Sequence, residues 1–586
     1  MSRRSYLILL LLLVSGVYFY TAAGRAVLDD GDALYAHIAQ VMARSGDWVT
    51  PYANGARFLD KPPMMFWLMA AAYHIFGFNE FAARFPSALA VLGTAVLLFL
   101  MGRRAGSPSA GFIAAGAYAF CVGTFLFTRM VFPDVLFVFF LTFAIFIFSK
   151  WYLAAPKPLM PALLFYAAMA GAVLTKGFIG LVFPGAIVFF FLLWEKDLAC
   201  LRRFHLLKGS LLFLVLAVPW HLLAALRNPG FLWYFFLNEQ VYRFLGKRQP
   251  LDYESIAMPV FWLLVLAWLF PWSAFFPAMR HVVRYSRDRE DGVRCTIRLC
   301  VCWILVLLVF FSLSSRIEHY AMPIFPPLAL FIGMVLSLEA LSDPLRDARL
   351  RRSVARGFVF LASFGGLVAL LLIGAALWLQ GGPAGDTLNP AATPRLHAYK
   401  YYFAPLFEMP PDVLERLKTP FAGTCIVLAA GFLTAWWLNR RNRRLAAIMA
   451  LNLTAMGFCL FAWQSLGICE VMISSKQFGR QINRLYRPGD SVVVVGDFET
   501  ANSINFYAPP VLRVHGGTAA LLQWGLRYPD APKVLLSQSE LQGLWESPHR
   551  AFLLAPIDQL PALGLQTAHP VLRSGGRTLI CNLPVP

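Results

Sequence analysis

The sequence predicts a polytopic α-helical membrane protein with a small α/β domain at its C-terminal end. Only 14% of the 586 residues are charged, Phe alone numbers 52, and the mean hydropathy is +0.62. Apolar runs of about 17 to 24 residues recur along the chain, and each is long enough to cross a hydrocarbon core of roughly 30 Å. After residue 464 the pattern changes to short β-type runs. A soluble fold would not need so many helices that are apolar on all sides.

Thirteen of the apolar runs are predicted to span the membrane. The first run follows Arg3 and Arg4 and ends near Thr-Ala-Ala, features that also occur in cleaved signal peptides. Its length favours a retained helix, and under either interpretation the next loop lies outside. The approximate bounds of the spans are 5–23, 86–102, 109–127, 132–149, 160–174, 178–194, 209–226, 257–279, 297–314, 321–340, 357–380, 419–438 and 445–464.

The N-terminus and every second loop are strongly basic. Together with Arg298 they hold 25 of the 51 Lys and Arg residues, while the opposite loops hold 16 in nearly twice the length. The positive-inside rule therefore places the N-terminus in the cytoplasm. Because the net charge of +20 follows this topology, no nucleic-acid partner is expected. The basic segments are 1–4, 103–108, 150–159, 195–208, 280–296, 341–356 and 439–444.

The first external loop, residues 24–85, contains several local structure signals. Asp32 is a plausible N-cap for a short amphipathic helix that Gly46 would end. Asn54-Gly55 predicts a tight turn. The apolar stretch "MMFWLMAAAYHIFGF" follows Pro62-Pro63, and we interpret it as an interfacial helix because another span there would invert every later loop.

The last segment, residues 465–586, predicts a small external α/β domain that follows a membrane domain over 1–464. Its β-type runs are "SVVVVGDFET", "PPVLRVHGG", "APKVLLS", "HRAFLLAP" and "RTLICNLP", separated by polar and Pro-Gly stretches. Cys469 and Cys581 both fall in this segment, and a disulfide between them is left open.

Isolated ionisable residues at a membrane face are candidates for function because removing them from water is costly. In the predicted topology these residues all fall on the external side, where carboxylates and cations together suit an anionic headgroup. Some also have structural explanations: Asp32 as a helix cap, and Arg84 as a side chain that reaches lipid headgroups. The residues are Asp29, Asp30, Asp32, Asp60, Lys61, Arg84, Arg129, Asp134, Lys176, Glu239, Arg243, Arg316, Glu318 and Tyr320.

The external loop from "LYAHIAQVMARSGDW" through "FLDKPPMMFW" to "FAARFPSAL" resembles that of bacterial aminoarabinose transferases. These belong to the dolichyl- or polyprenyl-phosphate-sugar group of GT-C membrane glycosyltransferases, related to the protein mannosyltransferases. Further similar stretches follow in the family's order through residue 331: "VLTKGFIGLVFPG", "NPGFLWYFFLNEQVYRFLG", "LFPWSAFFP" and "FFSLSSRIEHYAMPIFPPLAL". The resemblance implies a GT-C fold.

The resemblance also implies roles for individual residues. The family's acidic motif, usually Asp-Glu four and three residues before a tyrosine, falls on Gly31 and Asp32 before Tyr35. Asp32 or the neighbouring Asp30 is therefore the expected catalytic carboxylate. The family's Glu-Lys-Pro matches Asp60-Lys61-Pro62, which implies that Lys61 contacts the carrier phosphate. The other residues expected to bind substrate are Asp29, Tyr35, Asp60, Arg84, Arg129, Lys176, Glu239, Arg243, Arg316 and Tyr320.

The function implied by the resemblance is transfer of aminoarabinose or a related sugar, with inversion, from undecaprenyl phosphate to a periplasmic acceptor such as lipid A. The expected location is the bacterial inner membrane, with the active site and C-terminal domain in the periplasm among membrane lipids. The histidines lack the HExxH spacing, so no metal site or cofactor is predicted, although a divalent metal is possible. Two alternatives stay open: a protein O-glycosyltransferase of the same fold, and a polyprenyl-lipid transporter, which would favour broken helices with midplane charges.

Overall fold

The computed structural model describes residues 3–250, 255–285, 291–341, 348–381 and 411–585 of the chain. Helices dominate up to residue 485. The predicted external loop at 381–418 lies for the most part outside the described residues. The α-helices are α1 Arg3–Ala22, α2 Gly31–Ser45, α3 Met64–Phe76, α4 Glu80–Ala105, α5 Pro108–Ala119, α6 Val122–Phe127, α7 Pro133–Tyr152, α8 Leu159–Lys176, α9 Ile179–Glu195, α10 Cys200–Arg203, α11 Leu206–Arg227, α12 Met258–Trp268, α13 Met279–Tyr285, α14 Asp291–Leu313, α15 Phe325–Leu341, α16 Ala348–Gly381, α17 Pro411–Arg440, α18 Arg444–Ile473, α19 Lys476–Leu485, α20 Ile504–Tyr507 and α21 Gln538–Trp545.

Most of the predicted spans appear as long apolar helices. Within the described residues, ten helices are long and apolar enough to cross a membrane, and a bent pair at Met258–Trp268 and Trp272–Val283 would make eleven. The predicted span at 109–127 is divided between α5 and α6, because the chain becomes extended at Cys121 and the Val122 amide bonds to the Phe270 carbonyl. The span predicted at 178–194 is α9, which has only 17 residues. The polytopic helical fold itself is confirmed.

Helix α1 is a packed member of the helical bundle. Val14 and Tyr18 are fully buried, and the Tyr18 hydroxyl donates a hydrogen bond of 2.6 Å to the Ala119 carbonyl. Helix α1 is thereby attached to the end of α5.

The loop over residues 24–85 follows most of its local signals. Gly46 ends α2 in the left-handed conformation, at φ 71°, and Asn54-Gly55 turns a two-stranded hairpin, as predicted. The assignment of Asp32 as N-cap is wrong: α2 begins at Gly31 after Asp30, and the Asp32 carboxylate instead bonds outside the helix. Helix α3 has 13 residues and is about 20 Å long, so it is too short to span.

The C-terminal region forms a six-stranded mixed sheet, as its β-type runs predicted. The order is β5-β4-β3-β6-β8-β7, with parallel pairing from β5 to β6 and antiparallel pairing from β6 to β7. The edge strand β7 was not predicted, because it contains Pro570 and is only partly buried. Cys469 and Cys581 are both free thiols. The strands are β1 Tyr52–Ala53, β2 Ala56–Arg57, β3 Ser491–Val495, β4 Leu512–His515, β5 Leu535–Leu536, β6 Ala551–Pro556, β7 His569–Ser574 and β8 Arg577–Cys581.

The sheet region packs directly against the 24–85 loop. The Asn54 side chain donates to the Leu512 carbonyl at 2.9 Å and accepts from the Leu512 amide at 2.7 Å. The Trp524 ring stacks on Tyr234, with centroids 4.3 Å apart. The C-terminal region therefore helps to hold the loop and the segment around Tyr234 in place.

Helices α4 and α5 approach so closely that Gly111 has no room for a side chain. A Cβ at this position would lie 2.2 Å from the Phe99 carbonyl oxygen. We expect Gly111→Ala to cost about 1–3 kcal/mol of stability by overpacking, measured as a lower melting temperature in detergent. Gly185→Ala in α9 is the control, because a Cβ there meets no atom within 4 Å. Equal melting temperatures for the two variants would contradict this packing.

Candidate functional site

An open cleft lies on the side of the helical bundle that carries the sheet region. It holds about 600 Å³ of space, counting the part open to solvent. Its polar walls come from the loop before α3, the C-terminal end of α8 and the π-helical segment Trp233–Tyr242. Its charged and phenolic lining residues are Asp60, Lys61, Lys176, Glu239, Arg243 and Tyr320. The structure thus brings six of the sequence-predicted site residues together.

Glu239 is the centre of the charged network in the cleft. One carboxylate oxygen, Oε2, lies 3.6 Å from Lys61 Nζ and 3.3 Å from an Arg243 guanidinium nitrogen. The other oxygen, Oε1, accepts a hydrogen bond from Arg248 Nε. Because one buried carboxylate holds two cations beside the same opening, their positive charges are concentrated there.

Asp60 is fixed by Tyr234 in the π-helical segment and by Arg248, which follows that segment. The Tyr234 hydroxyl donates to its Oδ1 at 2.7 Å, and the Arg248 guanidinium pairs with its Oδ2 at 2.8 Å. Asp60 is 5% exposed and Arg248 is 3% exposed, so the pair is shielded from water. The next residue, Lys61, is thereby presented to the cleft.

Burial and neighbouring charges together set the pKa values of Lys61 and Glu239. Burial, followed by the nearby Arg243, lowers the pKa of Lys61 against the opposing effect of Glu239. Burial would raise the pKa of Glu239, but Arg243 and Lys61 outweigh it and hold this pKa below its usual value. Glu239 therefore stays ionised beside its cations, while Lys61 gives up its proton more easily than an exposed lysine.

A second charged group borders the cleft around Lys176. Its ammonium pairs with the Asp134 carboxylate and lies 4.4 Å from the centre of the Tyr320 ring. The Tyr320 hydroxyl accepts a hydrogen bond of 2.8 Å from Arg243. His319 Nε2 lies 3.8 Å from Asp134. Tyr320 thus contacts both Lys176, at the end of α8, and Arg243, which directly follows the π-helical segment.

Part of the lining of the cleft is apolar. Ile179, Phe244, Phe310 and Phe311 contribute this part. A ligand with an anionic head and an apolar body would match such a mixed lining.

Asp32, Arg84 and Arg129 form a separate buried cluster that does not line the cleft. Asp32 accepts from the Val131 amide at 2.7 Å and pairs with Arg84 at 3.0 Å. Arg84 also donates to the carbonyls of Arg25, Ala26 and Arg129. Their contacts hold the first loop against the segment that follows α6.

The other predicted site residues also make contacts outside the cleft lining. Asp29 accepts from the Ser475 hydroxyl and the Ser503 amide, and the Asp30 amide donates to the Asn502 side chain, so both contact the C-terminal region. Tyr35 packs among the rings of Phe58, Phe66 and Phe132. The Arg316 guanidinium donates to backbone carbonyls, those of Ile256, Phe311, Ser312 and Ser314.

Arg248 is the site residue that the sequence analysis missed. It lies in "GKRQP", one of several basic positions in an external loop, and nothing local distinguishes it from Lys247. Its two carboxylate partners are 9 and 188 positions away. The only feature of the sequence that points to Arg248 is its position shortly after Glu239 and Arg243 in the same external loop.

Comparison with known proteins identifies similar sequences and a similar fold. The family model described as dolichyl-phosphate-mannose-protein mannosyltransferase matches residues 60–222. An uncharacterized protein of Aquifex aeolicus is 31% identical over 56% of this chain and 73% of its own. The undecaprenyl phosphate-alpha-4-amino-4-deoxy-L-arabinose arabinosyl transferase of Shewanella sediminis is 26% identical over 90% of this chain and 88% of its own. The crystal structure of ArnT from Cupriavidus metallidurans bound to undecaprenyl phosphate superposes with a TM-score of 0.78, at 22% identity, over 99% of this chain and 98% of that one.

Removing Arg84 should leave the Asp32 carboxylate buried without its cation. We expect Arg84→Gln to lower the free energy of unfolding by about 3–5 kcal/mol, detected as a lower melting temperature in detergent. Arg227→Gln is the control, because Arg227 is 54% exposed and pairs with Asp47 at the surface. That change should cost less than about 1 kcal/mol. A stable Arg84→Gln protein would show that the cluster does not hold the loop.

Proposed function

Because the chain belongs to the GT-C membrane glycosyltransferases that include the aminoarabinose transferases, we propose that it transfers aminoarabinose or a related sugar from undecaprenyl phosphate. The proposed acceptor is lipid A or another glycan of the cell envelope. The similarity to the arabinosyl transferases extends over most of the chain and supports this assignment.

The observation that carries the proposal is the pairing of cations with an aromatic wall in one cleft. Lys61, Lys176 and Arg243 line the same cleft as Phe310 and Phe311. A polyprenyl phosphate combines the same two characters, with an anionic phosphate joined to an apolar chain. The cleft is therefore suited to hold the phosphate at its cations and the first isoprene units at its aromatic rings.

The proposed reaction is a single displacement at the anomeric carbon. An acceptor oxygen forms the new bond to this carbon as the bond to the phosphate oxygen breaks and its electron pair stays on the leaving phosphate. Lys61 and Arg243 would stabilise the negative charge that develops on the departing phosphate. Electrostatic stabilisation of this kind is usually the largest single contribution to the rate enhancement of an enzyme. An acceptor phosphate needs no proton removed, whereas a hydroxyl acceptor would release its proton.

The contacts of the first-loop aspartates favour positioning roles within this proposal. Asp32 already pairs with Arg84, and the Asp30 backbone bonds to the C-terminal region. We propose that they keep the loop ordered, and that Lys61 with Glu239 and Arg243 forms the substrate-contacting group. Arg316 is assigned a similar structural role at the end of α14, because it donates to backbone carbonyls there.

We also propose that the cleft and the region over 465–586 face the periplasm of a bacterial inner membrane. The basic loops at the opposite ends of the helices support this orientation through the positive-inside rule. Within this proposal the membrane part over 1–464 carries the cleft, and the part over 465–586, which starts inside α18, holds the first loop through Asn54 and Asp29.

Lys61→Ala should lower kcat/KM for the polyprenyl-phosphate donor by about 100-fold, because the departing phosphate loses a positioned cation. Lys61 loses its charge as the pH rises through its lowered pKa. Wild-type kcat/KM should therefore begin to fall at a pH below the usual pKa of a lysine side chain. Lys61→Arg should move this fall to higher pH. Steady-state kinetics with purified protein tests both statements.

Lys533→Ala is the matched control for this experiment, because Lys533 is exposed in the C-terminal region and pairs with Glu540. Its kinetics should equal those of the wild type. Full activity of Lys61→Ala would overturn the assignment of the phosphate-contacting wall.

The acceptor class should appear when purified protein is given a radiolabelled, carrier-linked sugar together with a lipid extract or a protein fraction. We expect label in lipid A or another envelope glycan, absent with Lys61→Ala. Label in protein would reassign the chain to protein O-glycosylation. Lipid flipping without transfer to any acceptor would replace the transferase proposal with transport.

A further inference from the structure

A second cavity lies among the ends of three membrane helices. It is separate from the cleft lined by Lys61, Glu239 and Arg243, which we call the donor cleft. The second cavity is bounded by the residues after α1, the first turns of α17 and the second half of α18. Its walls include Gly24, Arg25, Arg416, Pro420, Trp463 and Gly467. None of its lining residues is shared with the donor cleft. It opens on the side where α1 leads into the first loop.

The depth of this cavity corresponds to the level of lipid headgroups. Helix α1 ends at Ala22, only three residues before Arg25, and α17 and α18 are both long enough to span. Tyr20 is 63% exposed and its ring lies 5.2 Å from that of Trp463. Such amphipathic aromatic residues are typical of the membrane–water interface.

Two residues that line this cavity, Arg25 and Trp463, each have a buried hydrogen-bond donor without a partner. Among the described residues, neither Nη1 of Arg25 nor the indole Nε1 of Trp463 has a hydrogen-bond acceptor. Arg25 is 2% exposed, and its other terminal nitrogen, Nη2, donates to the Arg129 carbonyl at 3.0 Å. A buried N–H without an acceptor costs about 1–3 kcal/mol, and more when the group is charged. A ligand that brings oxygen acceptors would remove this cost.

The electrostatics of the cavity favour an anion. Arg25 and Arg416 both line it, and no carboxylate lines it within the described part of the chain. The nearest acids with an effect on Arg25 are Asp32 and Glu470, which bond to Arg84 and to the Ala26 amide. Burial and the neighbouring Arg84 lower the pKa of Arg25 to about 9. An added negative charge would stabilise its protonated form.

We propose that this cavity binds the phosphate-bearing headgroup of a membrane lipid at a site distinct from the donor cleft. The phosphate would pair with the exposed Arg416, and its oxygens would accept from Arg25 and Trp463 after these two side chains turn toward the cavity. The acyl chains would lie along the exposed apolar face of α17, where Phe421 is 60% and Ile426 is 57% exposed. The inference rests on this cavity alone and does not depend on the proposed transferase activity.

Binding at this site would reach the first loop through shared hydrogen-bond partners. The guanidinium groups of Arg25 and Arg84 both donate to the Arg129 carbonyl, and Arg84 pairs with Asp32. A phosphate on Arg25 would thus hold in place a guanidinium that shares the Arg129 carbonyl with the cluster at the start of the loop. The bound lipid is expected to raise the melting temperature of the whole protein.

The test is native mass spectrometry of the delipidated full-length protein in neutral detergent, titrated with dioctanoyl phosphatidylglycerol. We expect one saturable equivalent of bound lipid. Its affinity should fall about five- to tenfold in Arg416→Gln and in Trp463→Phe, which keeps an aromatic ring but removes the indole N–H. Arg440→Gln, at the other end of α17, should bind as the wild type does. Lys61→Ala should also bind normally, because the donor cleft is a separate site.

Dioctanoylglycerol, which lacks the phosphate, should not bind at the same concentrations. Equal affinity of the wild type, Arg416→Gln and Trp463→Phe would overturn the site. Loss of binding in Lys61→Ala would show that the lipid had entered the donor cleft and would likewise overturn it. A further outcome is that inorganic phosphate raises the melting temperature as much as the phospholipid does and displaces it from the protein. That result would overturn the assignment of a lipid, in favour of free phosphate.

Discussion

The cleft depends on one buried guanidinium, that of Arg248, which lies between the carboxylates of Asp60 and Glu239. Two carboxylates that share a buried space would otherwise repel each other and take up protons. Arg248 lies between them and balances their charge, and Glu239 can then hold Lys61 and Arg243 at the opening. The ion pairs position side chains more than they add stability, because burying charges has a large desolvation cost.

The same need to compensate buried charge shapes the region behind the cleft. Arg84 donates to Asp32 and to backbone carbonyls. Arg129 donates to the Thr21 hydroxyl and lies beside the rings of Tyr18 and Phe125. These contacts bring together the end of α1, the first loop and the segment after α6. Asp29 and Asn54 then attach the C-terminal region to the same loop. A long loop is thereby held from several directions, and Lys61 gains a defined position.

The division of the charged residues into two clusters could not be read from the sequence. Asp32, Arg84 and Arg129 were expected at the substrate together with Lys61, because all of them fall on one side of the predicted topology. The structure places them in the buried cluster behind the first loop, where hydrogen bonds occupy them. Arg316 is similar, since its guanidinium donates to carbonyls near the end of α14. A topology assigns each residue to a membrane face, but it does not say which neighbours a side chain reaches across that face.

Local and compositional patterns by themselves determined the class of the protein, the β-type runs of the C-terminal region, the Gly46 and Asn54-Gly55 turns, and the prominence of Asp60-Lys61. These features depend on hydrophobicity and on backbone preferences of a few adjacent residues, which the sequence carries directly. Only the tertiary structure decided that Arg248 joins Asp60 to Glu239, that α5 and α6 divide one predicted span, and that Asp32 pairs with Arg84 instead of capping α2. Those outcomes depend on groups far apart in the chain, as with the 188 positions between Asp60 and Arg248. Packing selects such partners because a buried charge must find its counter-charge wherever the fold places one.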